Sequence, residues 1–196
     1  FVSALLPVVS AAVNAGGVEQ RVAVKINELR RIAGVPALTL DPQLSQGARE
    51  HSVEMRRTEQ ASHASTLPGQ ATPEERFQRI FGTAAAGLAE NVARVPRGAT
   101  DEAVAAAAHA ALNLTREGRG HAVDRRMTLV GVGCALGADG TAWLTVMFAQ
   151  PAGRPAAKTA PSPAPAPPPK ETPPPSAERL EELILADIGE ERGWGI

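Results

Sequence analysis

The chain has 196 residues, of which 43% are hydrophobic and 21% charged, and its net charge is −1. This length suits one ordinary domain with additional segments. The sequence has no basic run or arginine-rich stripe, so it lacks the charge pattern of a nucleic-acid-binding protein. Cys134 is the single cysteine, which excludes an intramolecular disulfide and a cysteine-based zinc site.

Residues 1–17 form an uncharged, largely apolar N-terminal segment, and the sequence does not begin with Met. The segment is too short to span a bilayer comfortably, so no transmembrane span is visible. Two interpretations stay open. The segment is either the end of a signal peptide, with Val9-Ser10-Ala11 as its small-residue cleavage site, or an apolar stretch packed on the domain.

Two helices are predicted next, over residues 18–33 and 41–58. The first has an apolar face of Val18, Val22, Ile26, Leu29 and Ile32, with helical spacing. Gly34 and Pro36 end it. A short extended link leads to the second helix, for which Asp41 is the expected N-cap and Pro42 the first helical residue.

His51 and His63 lie in different settings. His51 falls among apolar residues on the inner face of the second helix, and the spacing favours a core histidine held by one hydrogen bond over a ligand. His63 follows in a loop, where helix periodicity does not require it. Because loops on a rigid scaffold commonly carry function, His63 is a candidate site residue.

In the middle of the chain, the sequence predicts two more helices, with a buried glutamate between them. Residues 73–80 form the first helix, capped by Thr72 and ended by Gly82, and residues 83–87 read as flexible. Glu90 then lies between apolar neighbours, so we expect it to be partly buried and either paired or raised in pKa. Residues 101–115 form an Ala-rich helix, which Gly118-Arg119-Gly120 is expected to break.

The clearest strands are residues 128–136 and 141–149, joined through Asp139-Gly140 as a hairpin. Both faces of this hairpin are largely apolar, which indicates helices above and below the sheet. The predicted fold class is therefore α+β, a three-layer α-β-α sandwich with a small antiparallel sheet covered by helices on both faces.

The C-terminal part is predicted to lie outside the domain. Residues 151–175 are rich in Pro and Ala and are typical of a semi-rigid linker. Residues 176–196 carry a charge of −4, against +3 for the remainder, and an amphipathic helix is expected over 176–189. This helix should dock on its own domain, open a further domain, or bind a separate partner.

Several motifs resemble the CAP domain, the secreted fold of cysteine-rich secretory, antigen 5 and pathogenesis-related proteins, in its cysteine-poor bacterial form. Residues 18–150 carry the resemblance. An Asn27-x-x-Arg30 helix leads to a second helix that ends before Ser62-His63. The resemblance continues in Ala89-Glu90-Asn91-Val92-Ala93 and in the Gly131-Val132-Gly133 hairpin.

The resemblance implies a cleft that gathers two histidines and one or two glutamates, a group that binds zinc or another divalent ion in some members. His63 and Glu90 match two of these positions. Aligned without gaps, the second histidine falls on Gly118 and His121 takes the place of an asparagine. Leu112 replaces the tryptophan usual just upstream. A catalytic zinc site normally needs three protein ligands, so a metal here would require His63, Glu90 and His121 together.

Three functions are consistent with these observations. The first is a secreted, non-enzymatic module whose cleft, lined by His63, Glu90, Asn91 and His121, binds a small ligand or a cell-envelope component. The second is a metal-assisted, hydrolase-like enzyme with Glu90 as general base, His63 as its partner or a metal ligand, and His121 as the third group. The third is a structural envelope protein tethered through its Pro-rich linker. All three imply an extracellular, periplasmic or cell-envelope location.

Overall fold

A computed structural model describes residues 12–152. The predictions for the N-terminal segment up to residue 11, and for the linker and acidic helix from residue 153 onward, lie outside these residues. The elements are α1 (Ala15–Ile32), β1 (Thr39–Leu40), α2 (Pro42–Thr58), α3 (Pro73–Phe81), β2 (Ala85–Val95), α4 (Asp101–Leu112), α5 (Arg116–Val123), β3 (Leu129–Leu136) and β4 (Ala142–Pro151). None of the helices within 12–152 has the length and apolarity needed to cross a membrane.

The four strands form one sheet in the order β1-β3-β4-β2. The β3–β4 hairpin and the β2–β4 pair are antiparallel, whereas the two-residue strand β1 pairs with β3 in parallel. The hairpin therefore provides the two central strands, and β2 lies at one edge of the sheet.

Helices cover both faces of this sheet, which confirms the predicted α-β-α sandwich. One face packs against α1, α4 and α5 through buried side chains that include Val22, Ile26, Val104, Val132 and Val146. The other face packs against α2 and α3 through Leu44, Ala48, Phe77 and Met147, with Met55 and Trp143 beyond them. Cys134 is a buried packing residue, and burial raises the pKa of its thiol to about 12.

The helix α2 packs closely against β3 because two glycines in this strand have no side chain to keep the helix away. A Cβ added at Gly131 would lie 2.4 Å from the backbone carbon of Leu44, and one at Gly133 would lie 2.2 Å from that of Ala48. These separations are far below carbon–carbon contact distance. The glycines of the Gly131-Val132-Gly133 motif thus set the distance between α2 and β3.

The Asn27-x-x-Arg30 motif holds the α5 side of the molecule together. The amide of Asn27 exchanges two hydrogen bonds with the backbone of Leu38, at 3.0 and 2.8 Å. Arg30 is fully buried. Its guanidinium donates to four backbone carbonyls, those of Pro36, Ala122, Asp124 and Met127. Since Ala122 and Asp124 lie at the end of α5, Arg30 fixes the position of that helix.

Two local predictions are wrong. Residues 85–87 belong to β2 rather than to a flexible run. Gly118-Arg119-Gly120 does not end the helical region, because Thr115 caps a new helix, α5, through a 2.9 Å hydrogen bond from the Gly118 N–H to its hydroxyl oxygen. A competent N-cap three residues ahead outweighs the low helix propensity of glycine.

Candidate functional site

Glu90 lies in β2 as a buried carboxylate with two partners. Its residue is 5% exposed. The Nη2 of Arg76, in α3, lies 2.7 Å from Oε1 and 2.6 Å from Oε2. His63 Nδ1 lies 3.0 Å from Oε1. Glu90 was expected to be partly buried and either paired or raised in pKa; the structure shows it buried and paired, and the cation that pairs with it is Arg76.

Arg76 is the site residue that the sequence interpretation missed. The guanidinium is fully buried and also donates to the backbone carbonyls of His63 and Gln70, at 3.0 and 2.8 Å. It therefore neutralises the carboxylate and holds the loop that carries His63. A signal was present, since Arg76 precedes the apolar Ile80 by four residues and so shares its helix face.

The loop before α3 has two further attachments to α2. His51 is 1% exposed and its Nε2 lies 2.7 Å from the carbonyl oxygen of Ser62, which confirms the predicted core histidine. Burial lowers its pKa. Glu54 accepts hydrogen bonds from the Thr66 N–H and hydroxyl at 2.6 and 2.8 Å, and from the Ser65 hydroxyl. Burial raises the pKa of Glu54, but these hydrogen bonds outweigh it and leave the pKa lowered.

Asn91 and His121 form the matching pair on the opposite face of the sheet. The Asn91 amide nitrogen donates to the carbonyls of Leu112 and Gly118, at 3.2 and 2.9 Å. Its oxygen lies 2.8 Å from Nδ1 of His121, in α5. The side chain of His121 is 29% exposed. Asn91 thus orients His121 as Glu90 orients His63.

Gly118 has no room for a histidine. A Cβ at this position would lie 2.3 Å from the carbonyl oxygen of Leu112. The ungapped alignment with the family therefore places the second histidine at Gly118, a position where the backbone of Leu112 leaves no space for a side chain. His121, one helical turn further along α5, is the histidine that reaches the cleft.

These residues line one cleft of about 440 Å³ at the edge of the sheet. His63, Glu90, Asn91 and His121 all border it, so the structure brings the four predicted residues together. Its outer walls carry Glu74 from α3 and Glu117 from α5. A larger cavity, of about 790 Å³, is bordered by Arg97 and the β3–β4 turn and contains none of the candidate residues.

The residues present do not fit a divalent metal. Both oxygens of Glu90 already accept hydrogen bonds from the Arg76 guanidinium, whose positive charge opposes a second cation at the same carboxylate. Within residues 12–152, no group of three or more His, Cys, Asp or Glu side chains is arranged to hold a metal ion. The predicted set of His63, Glu90 and His121 is therefore not a metal site in this arrangement.

Zinc titration by calorimetry is expected to give no stoichiometric tight binding, because the carboxylate needed as third ligand is committed to Arg76. His63→Ala and His121→Ala variants serve as matched controls and should behave like the parent. Tight one-to-one binding that both substitutions abolish would contradict this expectation.

The hydrogen bond from His63 to Glu90 raises the pKa of His63 above its ordinary value of 6.5. Folding therefore favours the protonated imidazole. Its stabilising contribution is complete below pH 6.5 and is lost as the pH rises through the elevated pKa. NMR titration should show the His63 resonance, identified by its absence in His63→Ala, titrating at higher pH than that of His51. A His63 pKa at or below 6.5 would contradict the ion pair.

Comparisons with known proteins are consistent with this geometry. Residues 25–148 match the family described as CAP, the cysteine-rich secretory protein family. A comparison with curated proteins gave no match. The fold is similar to an extracellular protein containing an SCP domain from Bacillus anthracis, with 24% identity and a TM-score of 0.57 over 69% of this chain and 41% of that one. It is also similar to an outer surface protein from Borrelia burgdorferi, with 15% identity and a TM-score of 0.59 over 72% and 98% of the two chains. This chain thus spans about two fifths of the B. anthracis protein.

Proposed function

Because the chain belongs to the CAP, or cysteine-rich secretory protein, family, we propose that it is a secreted, non-enzymatic module whose cleft binds a small ligand or a cell-envelope component. The location is supported by the family description and by solved structures described as extracellular and outer-surface proteins. In this proposal the ligand contacts His63 and His121, while Glu90 and Asn91 orient them.

The observation that carries the proposal is the state of Glu90. A general base must reach a water molecule in the cleft. The Glu90 side chain is only 1% exposed, and its oxygens accept from Arg76 and His63. The residue that a hydrolase would need as its base is thus used to position His63.

The two imidazoles are well suited to binding. The amide nitrogen of Asn91 donates to two carbonyls, so its oxygen faces His121 and the proton lies on Nδ1 of that histidine. The Glu90 carboxylate likewise places a proton on Nδ1 of His63. Neither Nε2 is used in a hydrogen bond within the described residues, although that of His121 lies 3.9 Å from Glu117 Oε1, so both can contact a ligand.

The competing function is hydrolysis by a His63–Glu90 pair, which their 3.0 Å contact favours. The pure protein should show no hydrolysis of p-nitrophenyl acetate or labelled casein above that of His63→Ala. Robust hydrolysis that disappears in His63→Ala would overturn the proposal. NMR screening with dipeptides, disaccharides and amines should in turn shift the resonances of His63 and His121, and a screen that leaves both unchanged would count against binding.

A further inference from the structure

The direction of backbone groups in the sheet follows from one hydrogen bond. The carbonyl of Val130 accepts from the N–H of Asp41 at 2.9 Å, on the side of β1. Because these directions alternate along a strand, the groups of Gly131 point to β4, where Gly131 pairs with Met147. The next residue of β4, Val146, must then point its backbone groups to β2.

The same alternation identifies the free groups of β2. Val146 and Phe148 pair with Asn91 and Ala89, so the backbone groups of these two β2 residues are used in the ladder with β4. Glu90 and Val92 must therefore direct their N–H and C=O groups away from the sheet. In the described part of the chain no further strand pairs with this edge.

At the opposite edge of the sheet, the backbone N–H groups that no strand pairs with are hydrogen-bonded to side chains. Beyond β1, the N–H of Val132 donates to the Ser45 hydroxyl at 3.3 Å, and that of Cys134 donates to the Glu19 carboxylate at 3.0 Å. No side chain within residues 12–152 makes a corresponding hydrogen bond to Glu90 or Val92 backbone groups. One edge is closed by side chains, while the other lines the cleft.

The cleft runs around this open edge. Glu90 and Asn91 are consecutive in β2, so their side chains point to opposite faces. Glu90 holds His63 on the α3 side and Asn91 holds His121 on the α5 side. Residues 89–92 lie between them along the cleft, a length of about 13 Å for four residues in an extended strand.

The negatively charged side chains on the cleft walls favour extended ligands that carry positive charge. Glu74 lies on the α3 wall and Glu117 on the α5 wall. Neither forms a salt bridge with Lys or Arg in the described region. The ionisable group nearest to Glu117 is His121, whose Nε2 lies 3.9 Å from Oε1. No Lys or Arg lines the cleft in that region. The single charge of Glu90 is shared by the buried Arg76 and by His63, so protonated His63 leaves one positive charge against the two negative charges of Glu74 and Glu117.

We propose that the outer edge of β2 binds an extended peptide with two adjacent basic residues, which adds to the sheet as a further strand. This deepens the proposed binding function and rests on it. The peptide backbone bonds to the N–H and C=O groups of Glu90 and Val92, as in other strand additions. Adjacent peptide side chains point to opposite faces, so one basic side chain meets Glu74 and the next meets Glu117.

The test uses the full chain and the peptide acetyl-Thr-Val-Lys-Lys-Val-Thr-amide, with a Glu-Glu peptide as control. Hydrogen exchange followed by NMR should slow at the amides of Glu90 and Val92 when the basic peptide binds. The amides of Ala89 and Asn91, already bonded to β4, should change little. The acidic peptide should leave all four unchanged.

Peptides N-methylated at alternate residues test which edge of the peptide backbone bonds to β2, and they leave the protein itself unchanged. Methylating the set of N–H groups that faces β2 should weaken binding about tenfold, since each lost pair leaves a backbone acceptor unsatisfied. Methylating the other set should have little effect. Equal effects of both sets, or binding without slower exchange at Glu90 and Val92, would overturn the proposal.

Charge variants test the choice of peptide. Glu117→Gln should weaken binding of the basic peptide about threefold. Glu28→Gln, which makes the same change on the exposed surface of α1, should leave it unchanged. If dipeptides, disaccharides or amines shift His63 and His121 while the peptide does not bind, strand addition is wrong and the proposed binding function stands. If none of these probes affects the cleft, both fail.

Discussion

Replacing Arg76 with methionine should lower the free energy of unfolding by about 3–5 kcal/mol, the cost of leaving a buried charge without its partner. The Glu90 side chain is 1% exposed and would lose the guanidinium that contacts both its oxygens. The loop carbonyls of His63 and Gln70 would lose their donor as well. Urea unfolding followed by circular dichroism measures the change.

Arg79→Met is the matched control, in the same helix. Arg79 pairs with Glu50 at the surface, where both side chains are partly exposed, so its loss should change the free energy of unfolding by less than about 1 kcal/mol. The double variant Arg76→Met with Glu90→Gln should recover part of the lost stability, because it removes the unpaired charge. Equal effects of Arg76→Met and Arg79→Met would contradict the buried ion pair.

Replacing Gly133 with alanine should destabilise the protein by about 3 kcal/mol, at the upper end of the usual cost of overpacking. The added Cβ would lie 2.2 Å from the backbone of Ala48 and Arg49. Because backbone atoms cannot rotate away as a side chain can, α2 must move off the sheet. Thermal unfolding should show a large fall in the transition temperature.

Gly120→Ala provides the comparison, since it makes the same chemical change inside α5. A Cβ at Gly120 meets nothing within 4 Å, and alanine favours a helix over glycine by about 1 kcal/mol. This variant should therefore be as stable as the parent or slightly more stable. A Gly133→Ala protein with the stability of Gly120→Ala would show that α2 does not rest on the glycines.

The sequence predicted those elements whose local signals agree. Asp41 and Thr72 cap α2 and α3 as expected, and each is followed by proline at the first helical position. The hairpin was predicted correctly because its strands are apolar on both faces, and such strands are expected in a sheet that helices cover on both sides. The fold class followed from these elements, and the structure confirms it.

The errors occurred where tertiary contacts decide. Gly118-Arg119-Gly120 was expected to break the helix predicted over 101–115, but these residues lie inside α5, which Thr115 caps. Gly118 is required there by the close approach of Leu112. Glu19 is not part of the predicted apolar face of α1, yet it is 5% exposed and bonds to Arg49 and to β3. No periodicity identifies a buried acid whose partner lies 30 residues away.

The sequence predicted four residues of the candidate site, but it did not predict the ion pair that holds Glu90. His63, Glu90, Asn91 and His121 were found from the order of the motifs, and they border one cleft. Arg76 was not, because an arginine in an amphipathic surface helix usually points to solvent. Its partner is separated from it by 14 residues, and the pair became visible only once α3 was placed on β2.

The strand order also dictates when the domain can fold. The central strands β3 and β4 are the last two elements of residues 12–152. The sheet surface that α1 and α2 cover is therefore incomplete until β3 and β4 have been synthesised. Such long-range pairing makes folding slow relative to helical bundles. We therefore expect a fragment that ends before Leu129 to lack a stable fold, because its helices have no central strands to cover.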